Sequence, residues 1–100
     1  MPDTRTAQRE HYNAARLRSH TWDQLKLAAM DLNEGRATPA EVEALLNDLM
    51  RLERYWAFPG RDTVRRLQGL LEEKEYAGLR QAVNHVVRTL SSGAFRSDPG

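Results

Sequence analysis

The 100-residue chain has no cysteine and no isoleucine. Without cysteine there is no thiol nucleophile, no thiolate metal site and no disulfide framework. Valine, isoleucine and threonine together supply only 11 residues. A sandwich or barrel, which is built on β-branched side chains, is therefore excluded. Charge of one sign is also missing, since 15 Lys and Arg face 14 Asp and Glu. Such a chain projects no strong long-range field toward polyanions. No run of 18 apolar residues is present, so no helix long enough to cross a bilayer is expected. The first residues, Met1-Pro2-Asp3-Thr4-Arg5, carry no apolar stretch of the kind a secretory signal needs. The expected compartment is the cytoplasm.

In contrast, helix formers are abundant. Ala, Leu, Glu, Lys, Arg, Gln and Met make up 55 of the 100 residues. Their side chains lose little rotamer freedom in a helix, so the composition predicts an all-α fold. At this length there is room for one domain.

Periodicity divides the chain. Residues 1–20 are polar with scattered alanines, and they predict a weakly ordered helix over about 5–18. Its apolar candidates are Ala7, Ala14, Ala15 and Leu17, and Arg5, Arg9 and Arg16 share a face. Thr21-Trp22-Asp23-Gln24 has capping-box spacing and opens a helix with Trp22, Leu25, Ala28, Ala29 and Leu32 as its stripe. Gly35 supplies its stop. Thr38-Pro39-Ala40-Glu41 is a second start signal, with Pro39 at the first helical position. Val42, Leu45, Leu46, Leu49, Leu52 and Trp56 follow on one face, and Pro59-Gly60 ends the helix near residue 57. A third helix begins near Asp62 with Val64, Leu67, Leu70 and Leu71. A fourth runs over about 75–90 with Tyr76, Leu79, Val83, Val86, Val87 and Leu90, and Ser91-Ser92-Gly93 stops it. The expected object is a small bundle of four helices over 21–93, a weak N-terminal helix over 1–20 and a flexible tail over 94–100.

Reactive constellations are sparse. His11, His20 and His85 have no carboxylate or histidine one turn away in a metal-binding pattern. Ser19, Ser91, Ser92 and Ser97 lie outside any nucleophile motif. The glycines form neither a dinucleotide fingerprint nor a P-loop. Glu72, Glu73 and Glu75 lack the loop of a calcium site and read as a solvated helix junction. The chain is therefore expected to be no enzyme and to carry no cofactor and no metal. Arg61, Arg65 and Arg66, with Arg5, Arg9 and Arg16, could hold phosphates. A nucleic-acid partner ranks below a protein partner, because the basic residues do not follow the turn of a recognition helix.

Tyr55-Trp56-Ala57-Phe58-Pro59-Gly60 is the most distinctive stretch. Three aromatics within four residues cannot all face one side of a helix. Trp56 can plug the core while its neighbours pack on the turn. Alternatively, Arg51, Arg54, Tyr55, Trp56, Phe58 and Arg61 together form an interface, since Trp, Tyr and Arg dominate binding hot spots.

Residues 53–96 also resemble the N-terminal helical region of some bacterial fold-type-I pyridoxal-phosphate decarboxylases of the ornithine/lysine/arginine group. The similar features are Arg-Tyr-Trp-x-Phe-Pro-Gly at 54–60, a leucine helix, an acidic junction containing Tyr76, and Ser-Gly-x-Phe-Arg at 92–96. In that family the cofactor lysine belongs to a large α/β domain far downstream. This chain has only Lys26 and Lys74, so no catalytic or cofactor-binding residue transfers. The resemblance implies an accessory helical segment concerned with assembly or regulation. Taken together, the sequence predicts a non-catalytic protein-interaction or assembly module that self-associates or meets a protein partner, with a helical nucleic-acid-binding protein as the alternative.

Overall fold

A computed structural model describes residues 4–92, with side chains described for 13–54 and 56–92. Four α-helices and one short 3₁₀ turn account for most of that span, and no strand occurs among the described residues. The helices are α1 (Thr4–Asn33), α2 (Pro39–Leu52), α3 (Arg61–Glu72) and α4 (Tyr76–Ser91), with the 3₁₀ turn at Glu53–Tyr55. The tail expected at 94–100 lies outside the described residues.

The N-terminal segment departs from the expectation. Instead of a weak helix followed by a second one, α1 is a single helix of 30 residues. At the usual rise per residue it is about 45 Å long, against a longest molecular dimension of 49 Å. Thr21 does not start a helix. Its hydroxyl donates to the Leu17 carbonyl at 2.7 Å, the back-bond that a threonine inside a helix can make to the carbonyl four residues earlier. No proline or glycine lies between residues 4 and 33, so nothing in the backbone forces a break. The stop at Gly35 is as expected. Gly35 has φ +79°, and the N–H groups of Gly35 and Arg36 return to the carbonyls of Leu32 and Asp31 at 3.1 and 2.7 Å. This is the Schellman arrangement that satisfies the last carbonyls of a helix.

Thr38 stands in extended conformation just before α2, with Pro39 inside the first turn, but the Thr38 side chain makes no capping bond. Its backbone carbonyl instead accepts from Glu41 N–H at 3.1 Å. α2 ends at Leu52, five residues before the expected position. There the chain tightens into the 3₁₀ turn and Trp56 is extended. A residue preceding proline is disfavoured in the helical region, so Phe58 before Pro59 keeps the connection open until α3. The α3–α4 junction repeats the Schellman bonds without a glycine. Lys74 adopts φ +59°, and the N–H groups of Lys74 and Glu75 reach the carbonyls of Leu71 and Leu70 at 3.1 and 2.9 Å.

Each helix packs against its two neighbours in a closed cycle, α1 on α2, α2 on α3, α3 on α4 and α4 back on α1. Trp22, Leu25, Ala29 and Leu32 from α1 meet Val42, Leu46 and Leu49 from α2, Val64, Leu67 and Leu71 from α3, and Leu79, Val83, Val86 and Val87 from α4 in one buried cluster. Ala28, Leu45, Leu52, Leu70, Tyr76 and Leu90 pack around its edge. The apolar stripes of the sequence therefore point inward, except at Trp56, which lies beyond α2 and is half-buried. Leu17 is 53% exposed, and Ala14 and Ala15 are half-buried.

Two substitutions test this packing with opposite signs. Leu46 is fully buried, so Leu46→Ala should lower unfolding stability in urea by about 2–5 kcal/mol. Lys74→Gly relieves a left-handed conformation that an L side chain adopts at a cost, and should raise stability by about 1 kcal/mol. A destabilised Lys74→Gly protein would contradict the junction geometry.

Candidate functional site

Glu53 interrupts the apolar stripe of α2. It falls seven residues after Leu46 and four after Leu49, so helical geometry aims it at the interior. Its side chain has 0% exposure. A carboxylate removed from water needs charge-assisted donors, and α1 supplies two of them one turn apart. Arg18 Nε–H donates to Glu53 Oε1 at 2.6 Å, and Trp22 Nε1–H donates to the same oxygen at 2.8 Å. Oε2 is buried without a hydrogen-bond partner.

The Arg18 guanidinium does more than neutralise Glu53. A terminal N–H donates to the Phe58 carbonyl at 2.7 Å. Its carbon also lies 4.8 Å from the centroid of the Trp56 ring, within cation–π range. One side chain of α1 therefore ties down residues 53, 56 and 58 of the α2–α3 connection. The Phe58–Pro59 peptide in that connection is cis.

The residues expected to form an aromatic interface differ in their surroundings. Trp56 is half-buried against Arg18, and the side chain of Tyr55 lies outside the described residues. Arg51 is exposed, bonds Asp48 at 2.8 Å, and borders a shallow pocket of ≈ 250 Å³ with Leu17, Thr21 and Leu52. Arg54 and Arg61 are exposed. Phe58 is half-buried and lines a different and larger feature.

That feature is a groove of ≈ 560 Å³ between α3 and α4. Leu67, Leu70, Ala82 and Val86 contribute apolar lining, Phe58 adds an aromatic ring, and Thr63, Arg66, Gln81 and His85 add polar groups. Arg66, Gln81 and His85 are exposed, which puts them at its rim. None of the lining residues is a carboxylate. Gly78 also lines it, and a Cβ there would come within 3.8 Å of the Leu70 side chain. Chemically, the groove can take apolar side chains while its rim favours anionic or hydrogen-bond-accepting neighbours.

The remaining sequence candidates do not converge. His20 and His85 are exposed, the His11 side chain lies outside the described residues, and no group of three or more metal-ligating side chains forms among those described. Glu72, Glu73 and Glu75 are exposed. Ser92 donates to the Thr89 carbonyl at 2.8 Å. Arg61, Arg65 and Arg66 are all exposed on the first half of α3, and Arg65 lies 3.9 Å from Asp62. The side chains of Arg5 and Arg9 lie outside the described residues.

Arg18 and Glu53 were not singled out by sequence reasoning. One signal was available, a carboxylate on an otherwise apolar stripe, which demands a cationic partner. The partner is 35 residues away, and no local pattern identifies it.

Comparisons with protein-family models, with curated proteins and with solved structures found no match to this chain.

Removing one member of a buried pair strands the other charge. Arg18→Met and Glu53→Leu should each cost about 3–5 kcal/mol. The double variant should recover a large part of the summed loss, because no isolated charge remains. Chemical denaturation of all four proteins reads the coupling. Strictly additive losses would show that the two side chains do not interact.

Proposed function

We propose that this chain is a non-catalytic helical protein-interaction and assembly module. Its working surface is the 51–61 edge together with the α3–α4 groove. The observation that carries the reading is the setting of Phe58. Its carbonyl is fixed by Arg18 while its side chain lines an apolar groove. A backbone held in place before binding loses little conformational entropy on association, and aromatics beside arginines are the usual anchors of an interface. Arg54 and Arg61, both exposed, supply the flanking cations. The likeness of residues 53–96 to the N-terminal region of pyridoxal-phosphate decarboxylases points the same way. On that likeness the module would be an accessory, non-catalytic segment of such an enzyme, working in the bacterial cytoplasm, with a second copy or a protein partner on its surface.

The exposed Arg61, Arg65 and Arg66 favour a second reading, binding of nucleic acid. Each neutralised phosphate releases a counterion, so that affinity must fall steeply with salt. Titration with duplex DNA and RNA should give weak binding that vanishes at physiological salt. Sub-micromolar affinity there, reduced by Arg65→Ala and Arg66→Ala, would favour the second reading over the first.

Assembly is tested by light scattering over a concentration series. Wild type should form a dimer or a larger species. Phe58→Ala and Arg61→Ala should weaken it by roughly tenfold or more, as expected for loss of a hot-spot contact, while the far-UV helical signal persists. A wild-type monomer at every concentration would rule out self-association.

A further inference from the structure

Leu27 is 61% exposed, more than any other large hydrophobic side chain among the described residues. It lies two residues from both Leu25 and Ala29, which are fully buried. Two residues along a helix turn the side chain by about 200°, so Leu27 points directly away from the core. Its neighbours on that outer face are one or two turns away, namely His20, Asp23, Gln24, Met30, Asp31 and Glu34, of which three are carboxylates. Asp23 and Glu34 are exposed, while Met30 and Asp31 are half-buried. Glu34 also meets Arg36 at 2.8 Å. The outer face of α1 is thus an apolar centre framed by carboxylates.

The α3–α4 groove has the opposite character. It offers apolar lining, exposed Arg66 and His85, and no carboxylate among its lining residues. The regional charges agree, with −2 over residues 21–34 and +2 over residues 59–100. The helix α3 lies across the cycle from α1, which packs on α2 and α4, so one copy cannot satisfy both surfaces itself.

We infer that the groove of one copy receives the outer face of α1 from a second copy, with Leu27 inserted and Asp23 and Asp31 beside Arg66 and His85. The inference rests on the assembly reading and gives it a partner and an orientation. Because the two surfaces are different patches, the contact is heterologous. Each copy keeps one unused α1 face and one unused groove, and the contact repeats head to tail into a ring or a chain.

The experiment uses two full-length variants altered only at exposed positions. Leu27→Asp removes the inserted side chain and leaves the groove intact. The Arg66→Glu and His85→Glu double variant reverses the groove rim and leaves the α1 face intact. Each variant alone should associate at least about tenfold more weakly than wild type, the scale set by one buried leucine or one reversed rim. Mixed in equal amounts, they should form a one-to-one dimer and nothing larger by light scattering, since each supplies the surface the other lacks. If wild type assembles and Leu27→Asp assembles equally well, the assembly reading stands and this pairing falls. If Leu27→Asp weakens assembly but the groove variant does not, α1 faces pair with each other and the groove is not the receptor. A mixture that stays monomeric also overturns the pairing. A wild-type monomer throughout removes both the pairing and the self-association on which it rests.

Discussion

A buried carboxylate at the end of α2 is the constraint around which the molecule is arranged. Glu53 lies where an apolar residue would continue the stripe, and water cannot reach it. Its stability depends on donors from another element, and α1 provides Arg18 and Trp22 on successive turns. Such a pair repays its desolvation only when the geometry is good and the remaining donors are used. Here a second Arg18 N–H reaches the Phe58 carbonyl and the guanidinium lies over the Trp56 ring, while Glu53 Oε2 has no hydrogen-bond partner. The polar contact therefore works mainly as a positional device. It specifies how the α2–α3 connection sits on α1, a task that apolar packing performs less selectively because it has no direction.

On the proposed reading, that positioning links fold to function. The same connection carries the aromatic residues, and its path brings Phe58 to one end of the groove between α3 and α4. Trp56 is half-buried against Arg18, whereas Phe58, also half-buried, lines the groove. The aromatic cluster is thus divided between holding the connection, through Trp56, and lining the groove, through Phe58.

The extent to which sequence anticipates this structure varies by element. In α2, α3 and α4 the apolar residues recur at helical spacing and become the buried faces, because periodic burial is a local property of each helix. The boundary that the sequence suggests inside α1 is absent from the structure for a definite reason. Thr21 with Gln24 has the spacing of a cap, but the Thr21 hydroxyl bonds the carbonyl four residues back, and a tertiary anchor at Arg18 favours continuing the helix. Lys74 in the left-handed region was likewise hidden, since glycine is the usual signal there. The Arg18–Glu53 contact and the groove join residues far apart in the chain, so composition and periodicity say nothing of them. Only Glu53 on an apolar stripe hinted at the first, and only the neighbourhood of Phe58 at the second.

The indole N–H of Trp22 reports the central contact directly, since it donates to the buried Glu53 oxygen at 2.8 Å. Its hydrogen exchange can be followed by NMR, with the half-buried Trp56 indole as a second resonance in the same spectrum. The account predicts that the Trp22 indole proton exchanges only through global or near-global unfolding in the wild-type protein, and that this protection collapses in Arg18→Met at a denaturant concentration where the helices remain folded. Rapid exchange of the Trp22 indole in the intact wild-type protein would contradict it.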